Sequence, residues 1–132
     1  MVDQTYKYAD ITEKIIGCAM KVHNILGNGF QEVIYQRCLA IEFSKAGLTY
    51  QREDEIPIFY DGIEVGTRRA DFLVEDKVLV ELKATTQLDK INHAQVINYL
   101  TAYQLEVGLL INFGEISLKF KRFVKSAKSN NL

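Results

Sequence analysis

The chain has 132 residues, enough for one domain with one real core, and its 48% hydrophobic and 25% charged content is ordinary for a globular protein. No apolar run approaches the roughly 20 residues that span a bilayer, and residues 1–8 lack a signal-peptide core, so no membrane partner and a cytoplasmic location are expected. With 16 basic and 17 acidic residues the net charge is −1, which argues against nucleic-acid binding by bulk charge alone.

An N-terminal arm is expected over 1–9. Asp10-Ile11-Thr12-Glu13 fits a capping box, and Ile11, Ile15, Ala19, Val22 and Leu26 recur at helical spacing, so a first helix is predicted over about 10–26 with Gly27 as its stop. His23 falls inside that apolar stripe. Gly27-Asn28-Gly29 is an elbow, and a second helix is predicted from about Gln31 to Ala46. Ile34, Cys38 and Ile41, with Leu39 and Phe43, are its expected buried side. Cys18 and Cys38 sit among apolar residues and are expected to be reduced thiols. Glu32, at the second helix's start, is favoured there by the helix dipole alone.

Leu48 to Glu55 is polar and extended, either an edge strand or a loop, and Pro57 fits a strand start or edge. Ile58-Phe59-Tyr60 and Ile63-Glu64-Val65 flank Asp61-Gly62, the signal for a type I′ hairpin, with a bulge expected at Gly66. Phe72-Leu73-Val74 and Val78-Leu79-Val80 form a second hairpin around the polar turn Glu75-Asp76-Lys77. Asp89 is placed to cap a third helix running to about Gln104, with Ile91, Ala94, Ile97 (with Val96), Leu100 and Tyr103 as its apolar stripe and Gln95 and Tyr99 on one face beside it. Val107 to Phe113 is a continuous apolar run, the mark of a strand buried on both faces. Ser117 to Val124 alternates as a last strand, and 126–132 is expected to be a disordered tail. Basic residues gather at this end, as Lys119, Lys121, Arg122, Lys125 and Lys128.

The second hairpin carries the chemistry. It brings Asp71, at the start of one strand, beside Glu81, at the end of the other, while Glu81 and Lys83 share a face. Two carboxylates so close are costly unless a cation joins them. A hard cation such as Mg²⁺, held by one or two carboxylates plus water and phosphate, satisfies that arrangement. Strand ends also carry charge because they meet solvent, and that plainer reading stands beside the metal site.

Four motifs in order widen the frame: Gly29-Phe30-Gln31-Glu32-Val33-Ile34-Tyr35, Arg69-Ala70-Asp71, Glu81-Leu82-Lys83 and Gln95-Val96-Ile97-Asn98-Tyr99. With Leu109 to Gly114 and Lys121-Arg122 behind them, the chain resembles the PD-(D/E)xK nuclease superfamily and, within it, the small GxxExxY proteins. Ala70 stands where the superfamily's name has proline. The resemblance implies a single α/β domain over 10–125 with a restriction-endonuclease-like core, a mixed β-sheet flanked by helices in the order α-α-βββ-α-ββ. It implies that Asp71, Glu81, the Leu82 carbonyl and Glu32 hold Mg²⁺ or Mn²⁺. Lys83 would stabilise charge on the phosphoryl group, Gln95 would bind phosphate or a metal-bound water, and Tyr99 would orient the site. Arg68, Arg69 and His93 are candidate phosphate contacts. The expected activity is Mg²⁺-dependent hydrolysis of the nucleic-acid backbone, DNA ahead of RNA, with a homodimer or a protein partner compatible with it. The rival expectation is an inactive nuclease-fold module that binds nucleic acid or a partner in a defence or repair system.

Overall fold

The computed structural model describes residues 7–125. The expected tail over 126–132 and most of the expected arm lie outside them. Lys7 is tied to the body through an ion pair with Glu106 at 2.8 Å, and Tyr8 packs on the core.

Helix α1 spans Ala9–Leu26 and α2 spans Glu32–Lys45. Strands β1 (Tyr50–Arg52), β2 (Glu55–Tyr60), β3 (Ile63–Arg69), β4 (Phe72–Val74) and β5 (Val78–Lys83) follow. Helix α3 (Lys90–Tyr103) then leads to β6 (Val107–Asn112) and β7 (Lys119–Val124). Five strands rather than three precede α3, because the polar segment after α2 contributes β1 and the first hairpin stands apart. The five-stranded sheet has the order β1-β4-β5-β6-β7, and β2-β3 forms a separate two-stranded ribbon. Among the described residues only β5 and β6 pair in parallel, through the α3 crossover, which the near-continuous apolar composition of both strands anticipates.

Alternation along β5 builds three layers. Val78, Val80 and Leu82 face α1 and α2 across a core that includes Ile15, Tyr35, Leu39, Phe43 and Phe72. Leu79 faces α3 in a second core with Val96, Leu100, Leu110 and Phe123. By the same alternation Glu81 and Lys83 lie on the α3 side. Gly108 lets α3 pack closely there: a Cβ would meet Leu100 and Val96 at 3.2 Å, tighter than ordinary contact.

Several expectations are corrected. Asp10 does not cap α1: the helix starts one residue earlier, Tyr8 occupies the cap position, and its carbonyl accepts from Ile11 and Thr12. Asp10 instead sits in the first turn, where the dipole favours it. The buried face of α2 is Tyr35, Gln36, Leu39, Ala40 and Phe43, whereas Ile34 and Cys38 are half-buried and Ile41 is 57% exposed. The rings of Tyr35 and Phe43 set that rotation, stacking on Phe113 and against Phe72. On α3 the buried residues are Val96 and Leu100, and Ile91, Ala94 and Ile97 are exposed. Asp89 does cap α3, in a capping box with Asn92. Asp61 and Gly62 both have positive φ, as a type I′ turn requires. The bulge falls at Val65, beside Gly66, where Ile58 pairs with Gly66 and Phe59 with Glu64. Cys18 and Cys38 are free thiols. His23 is buried, with its Nε2 3.0 Å from the Glu115 carbonyl.

Candidate active site

The second hairpin is built as its sequence requires. Glu75 and Asp76 take positive φ in the turn, and the register sets Phe72 opposite Val80. Asp71 therefore arrives beside Glu81 just as the β4–β5 ladder ends. With no β4 residue left to pair with on that side, the Leu82 N–H donates to Asp71 Oδ2 at 2.8 Å, and the Asp71 N–H donates to Glu81 Oε1 at 3.0 Å. The Lys83 carbonyl points the other way, accepting from Phe113 N–H on the β6 side. Successive strand carbonyls alternate, so the Leu82 carbonyl points toward the Asp71 side.

Asp71 is further fixed. Gln36, buried on α2, donates from Nε2 to Asp71 Oδ1 at 2.7 Å and accepts at Oε1 from Arg52 Nε at 3.0 Å. The Asp71 carbonyl accepts from Glu53 N–H at 3.1 Å. One residue earlier, the Ala70 N–H donates to the Tyr103 hydroxyl at 3.1 Å, which donates onward to the Asp54 carbonyl at 2.6 Å. A proline at position 70 would have no N–H to offer, so alanine gains a bond that ties the approach to Asp71 onto α3.

Glu32 reaches the cluster through the elbow. The Tyr35 hydroxyl donates to the Gly27 carbonyl at 2.6 Å and accepts from Phe30 N–H at 3.2 Å, while its ring stacks on Phe113 at 4.6 Å. The glycine, glutamate and tyrosine of this motif are thus one device: Gly29 supplies φ of 110°, Tyr35 clamps the loop, and Glu32 enters α2 at its first turn. Glu32, Val33, Gln36, Glu53 and Asp71 line a small cleft of about 100 Å³.

The electrostatics mark this as a strained place for negative charge. Glu81, 7% exposed, has its carboxyl pushed up to about 9 by burial first and by the Asp71 charge second. Glu32 is raised as well, by burial and then by Asp71, with Lys83 pulling the other way. Burial and the Glu81 charge raise the Tyr99 phenol, and the Arg68 guanidinium lies over the Tyr99 ring, 6.0 Å from its centroid. Without a cation, Asp71 and Glu81 cannot both be charged cheaply.

Asp71, Glu81, Leu82, Glu32, Lys83, Tyr99 and Arg68 are thus brought into one neighbourhood. Gln95 is half-buried one turn before Tyr99 and makes no side-chain hydrogen bond to a described residue. Arg69 is exposed at the end of β3, and His93 sits edge-on to Phe123, 5.6 Å between ring centroids. Among the described residues, no three His, Cys, Asp or Glu side chains converge as a ready-made metal cluster. The expected three-carboxylate grip is thus not preformed among them, and both Asp71 oxygens and one Glu81 oxygen accept hydrogen bonds. The donor set still suits a hard cation: two carboxylates with lone pairs to spare and a backbone carbonyl, leaving room for water. Gln36, Arg52 and Tyr103 were not singled out in the sequence, although Gln36 lies one helical turn after Glu32 and Tyr103 one turn after Tyr99, spacings that put each pair on one face.

A mixed sheet between helices, with an acid pair and a lysine at the end of its parallel strand, defines a nuclease-type α/β fold. The model of the PD-(D/E)XK nuclease superfamily matches residues 9–123, and the chain belongs to that superfamily. Among solved structures it is similar to the one titled "Crystal structure of SSO0001", with a TM-score of 0.57 and 19% identity. That match covers 75% of this chain and 54% of the other, so it shows a shared fold and spans about half of the longer protein. No curated protein matches the sequence significantly.

Proposed function

We propose that the chain is a GxxExxY-type nuclease that hydrolyses the DNA backbone with Mg²⁺ or Mn²⁺. The observation that carries this reading is the Asp71–Glu81 pair, a buried carboxyl accepting from the Asp71 N–H at 3.0 Å beside a second carboxyl that accepts from the Leu82 N–H at 2.8 Å. Such a pair is expensive as an acid pair and natural as a cation site. The Asp71 and Glu81 carboxylates and the Leu82 carbonyl would hold the ion, with Glu32 acting through water from the adjoining cleft. An ion held by those residues would supply Lewis-acid polarisation of a phosphate oxygen and activation of water near neutral pH.

The chain's own residues do the rest. Glu81 gives up its proton when the site loads. Lys83 offsets charge developing on the phosphoryl oxygens. Gln95, with its amide unengaged, donates to phosphate, and Tyr99 orients Arg68 beside the carboxylates. Arg69 and His93 are outlying phosphate contacts. The test is cleavage of labelled DNA by the purified chain with Mg²⁺, with Mn²⁺ and with chelator. Asp71→Asn, Glu81→Gln and Lys83→Ala should each fold and lose roughly 100-fold or more in rate; full activity in all three defeats the reading. One observation favours the rival, a non-cutting module that binds nucleic acid or a partner: no three metal-ligating side chains converge among the described residues. Calorimetry separates the two, since a non-cutting module binds DNA yet takes up no Mg²⁺ or Mn²⁺ at millimolar concentration.

A further inference from the structure

The β2–β3 ribbon belongs to neither layer of the sandwich, and its exposure is unusual. Phe59 is 59% exposed and Tyr60 76%, and Ile63 and Val65 beside them are similarly bare. Single exposed apolar residues need no explanation, but a cluster of four large ones on one ribbon does. Between the ribbon and α3 runs a groove of about 370 Å³, lined by Pro57, Ile58, Phe59, Arg68, Asn98, Thr101 and Ala102.

Three features of this groove point the same way. None of its lining residues is acidic and one is a cation, Arg68; outside the lining, the Lys125 ammonium donates to the hydroxyl of Thr101, and Glu64 is the cross-strand partner of Phe59. Phe59 offers an aromatic wall, and Asn98 offers an amide able to bond a base edge. The groove is also continuous with the candidate active site, because the Arg68 guanidinium that lines it lies over the ring of Tyr99, and Tyr99 sits in the field of Glu81 and Asp71.

We propose that this groove binds an unpaired nucleic-acid strand and leads its phosphate backbone to the Asp71–Glu81 site, so that the substrate is single-stranded or locally unpaired. An aromatic stacking surface with a guanidinium beside it, as Phe59 and Arg68 provide here, is how single strands are held without sequence readout. A base in an intact duplex is stacked on its neighbours and cannot also lie against Phe59. A slot this small, walled by a ribbon on one side and a helix on the other, takes one strand and excludes two. This inference rests on the nuclease reading for its function, but its test does not.

The test is fluorescence anisotropy in chelating buffer, where no metal-dependent cutting occurs, using a labelled oligothymidylate and a labelled blunt duplex. Phe59→Ala should weaken the single strand roughly tenfold and leave the duplex within about twofold. Asn98→Asp, which sets a negative charge in the groove at an exposed position, should do the same by repulsion. Arg68→Ala and Lys125→Ala should each lower the salt slope for the single strand by about 0.7. The proposal is overturned if Phe59→Ala and Asn98→Asp, shown folded by circular dichroism, bind the oligothymidylate as the parent does. It is also overturned if duplex binding falls equally, or if Phe59→Ala instead converts a dimer to a monomer with single-strand affinity unchanged. Groove-dependent binding without any cutting in Mg²⁺ or Mn²⁺ would remove the nuclease reading and leave the groove. Cutting that ignores Phe59→Ala would do the reverse.

Discussion

Glu81→Gln should make the metal-free protein more stable, although it removes a residue assigned to the active site. Glu81 titrates near 4.5 when exposed and near 9 in the fold. Between those values the folded chain binds one more proton than the unfolded chain, so stability falls as pH rises through that window and is unaffected by this group below it. At pH 7 folding must take a proton from solvent, and the interval from 4.5 to 7 converts to about 3 kcal/mol. Glutamine has the shape of the neutral acid and needs no proton. The variant should therefore gain up to about 3 kcal/mol at pH 7, or about 10 °C in melting temperature for a domain of this size. The gain should shrink to nothing near pH 4.5. Thermal melts in chelator from pH 4.5 to 8.5 measure it, and saturating Mn²⁺ should stabilise the parent but not the variant. A parent whose melting temperature is flat across the window, or a variant no more stable at pH 7, would refute the reasoning.

Other outcomes follow from the same contacts. Metal affinity should rise with pH, because loading the site expels the Glu81 proton; calorimetry in two buffers of different ionisation enthalpy should show about one proton released per ion. Gln36→Ala should fold yet lose roughly 10- to 100-fold in Mn²⁺ affinity, since Asp71 Oδ1 loses its orienting donor, and an unchanged affinity would reduce Gln36 to packing. Tyr103→Phe should cost about 1–2 kcal/mol in urea unfolding, as the Ala70 N–H and Asp54 carbonyl lose their shared partner. Gly114→Ala should cost at least about 2 kcal/mol, because its Cβ would overlap the Thr85 backbone.

The sheet was legible because β5 and β6 are apolar along their whole length and the turns carry Asp-Gly or consecutive acids, signals local to the chain. The Asp71–Glu81 pairing followed from counting along that hairpin. Helix faces were harder to read. On α2, Ile34-Cys38-Ile41 and Tyr35-Leu39-Phe43 are both apolar stripes at helical spacing, and only the partner rings Phe72 and Phe113, distant in sequence, decide between them. The cap of α1 was misplaced because a backbone carbonyl, Tyr8, did the work expected of a side chain. The residues that hold Asp71 were invisible for a related reason. Gln36, Arg52 and Tyr103 act across separations of 16 to 49 positions, and a glutamine on a helix carries no sign of what it will bond.

The measurement that bears most directly on the central claim is anomalous scattering from a crystal of the protein soaked in Mn²⁺. A peak bound by the Asp71 and Glu81 carboxylates and the Leu82 carbonyl is the expected result. Saturating Mn²⁺ with no peak between those two carboxylates would contradict it.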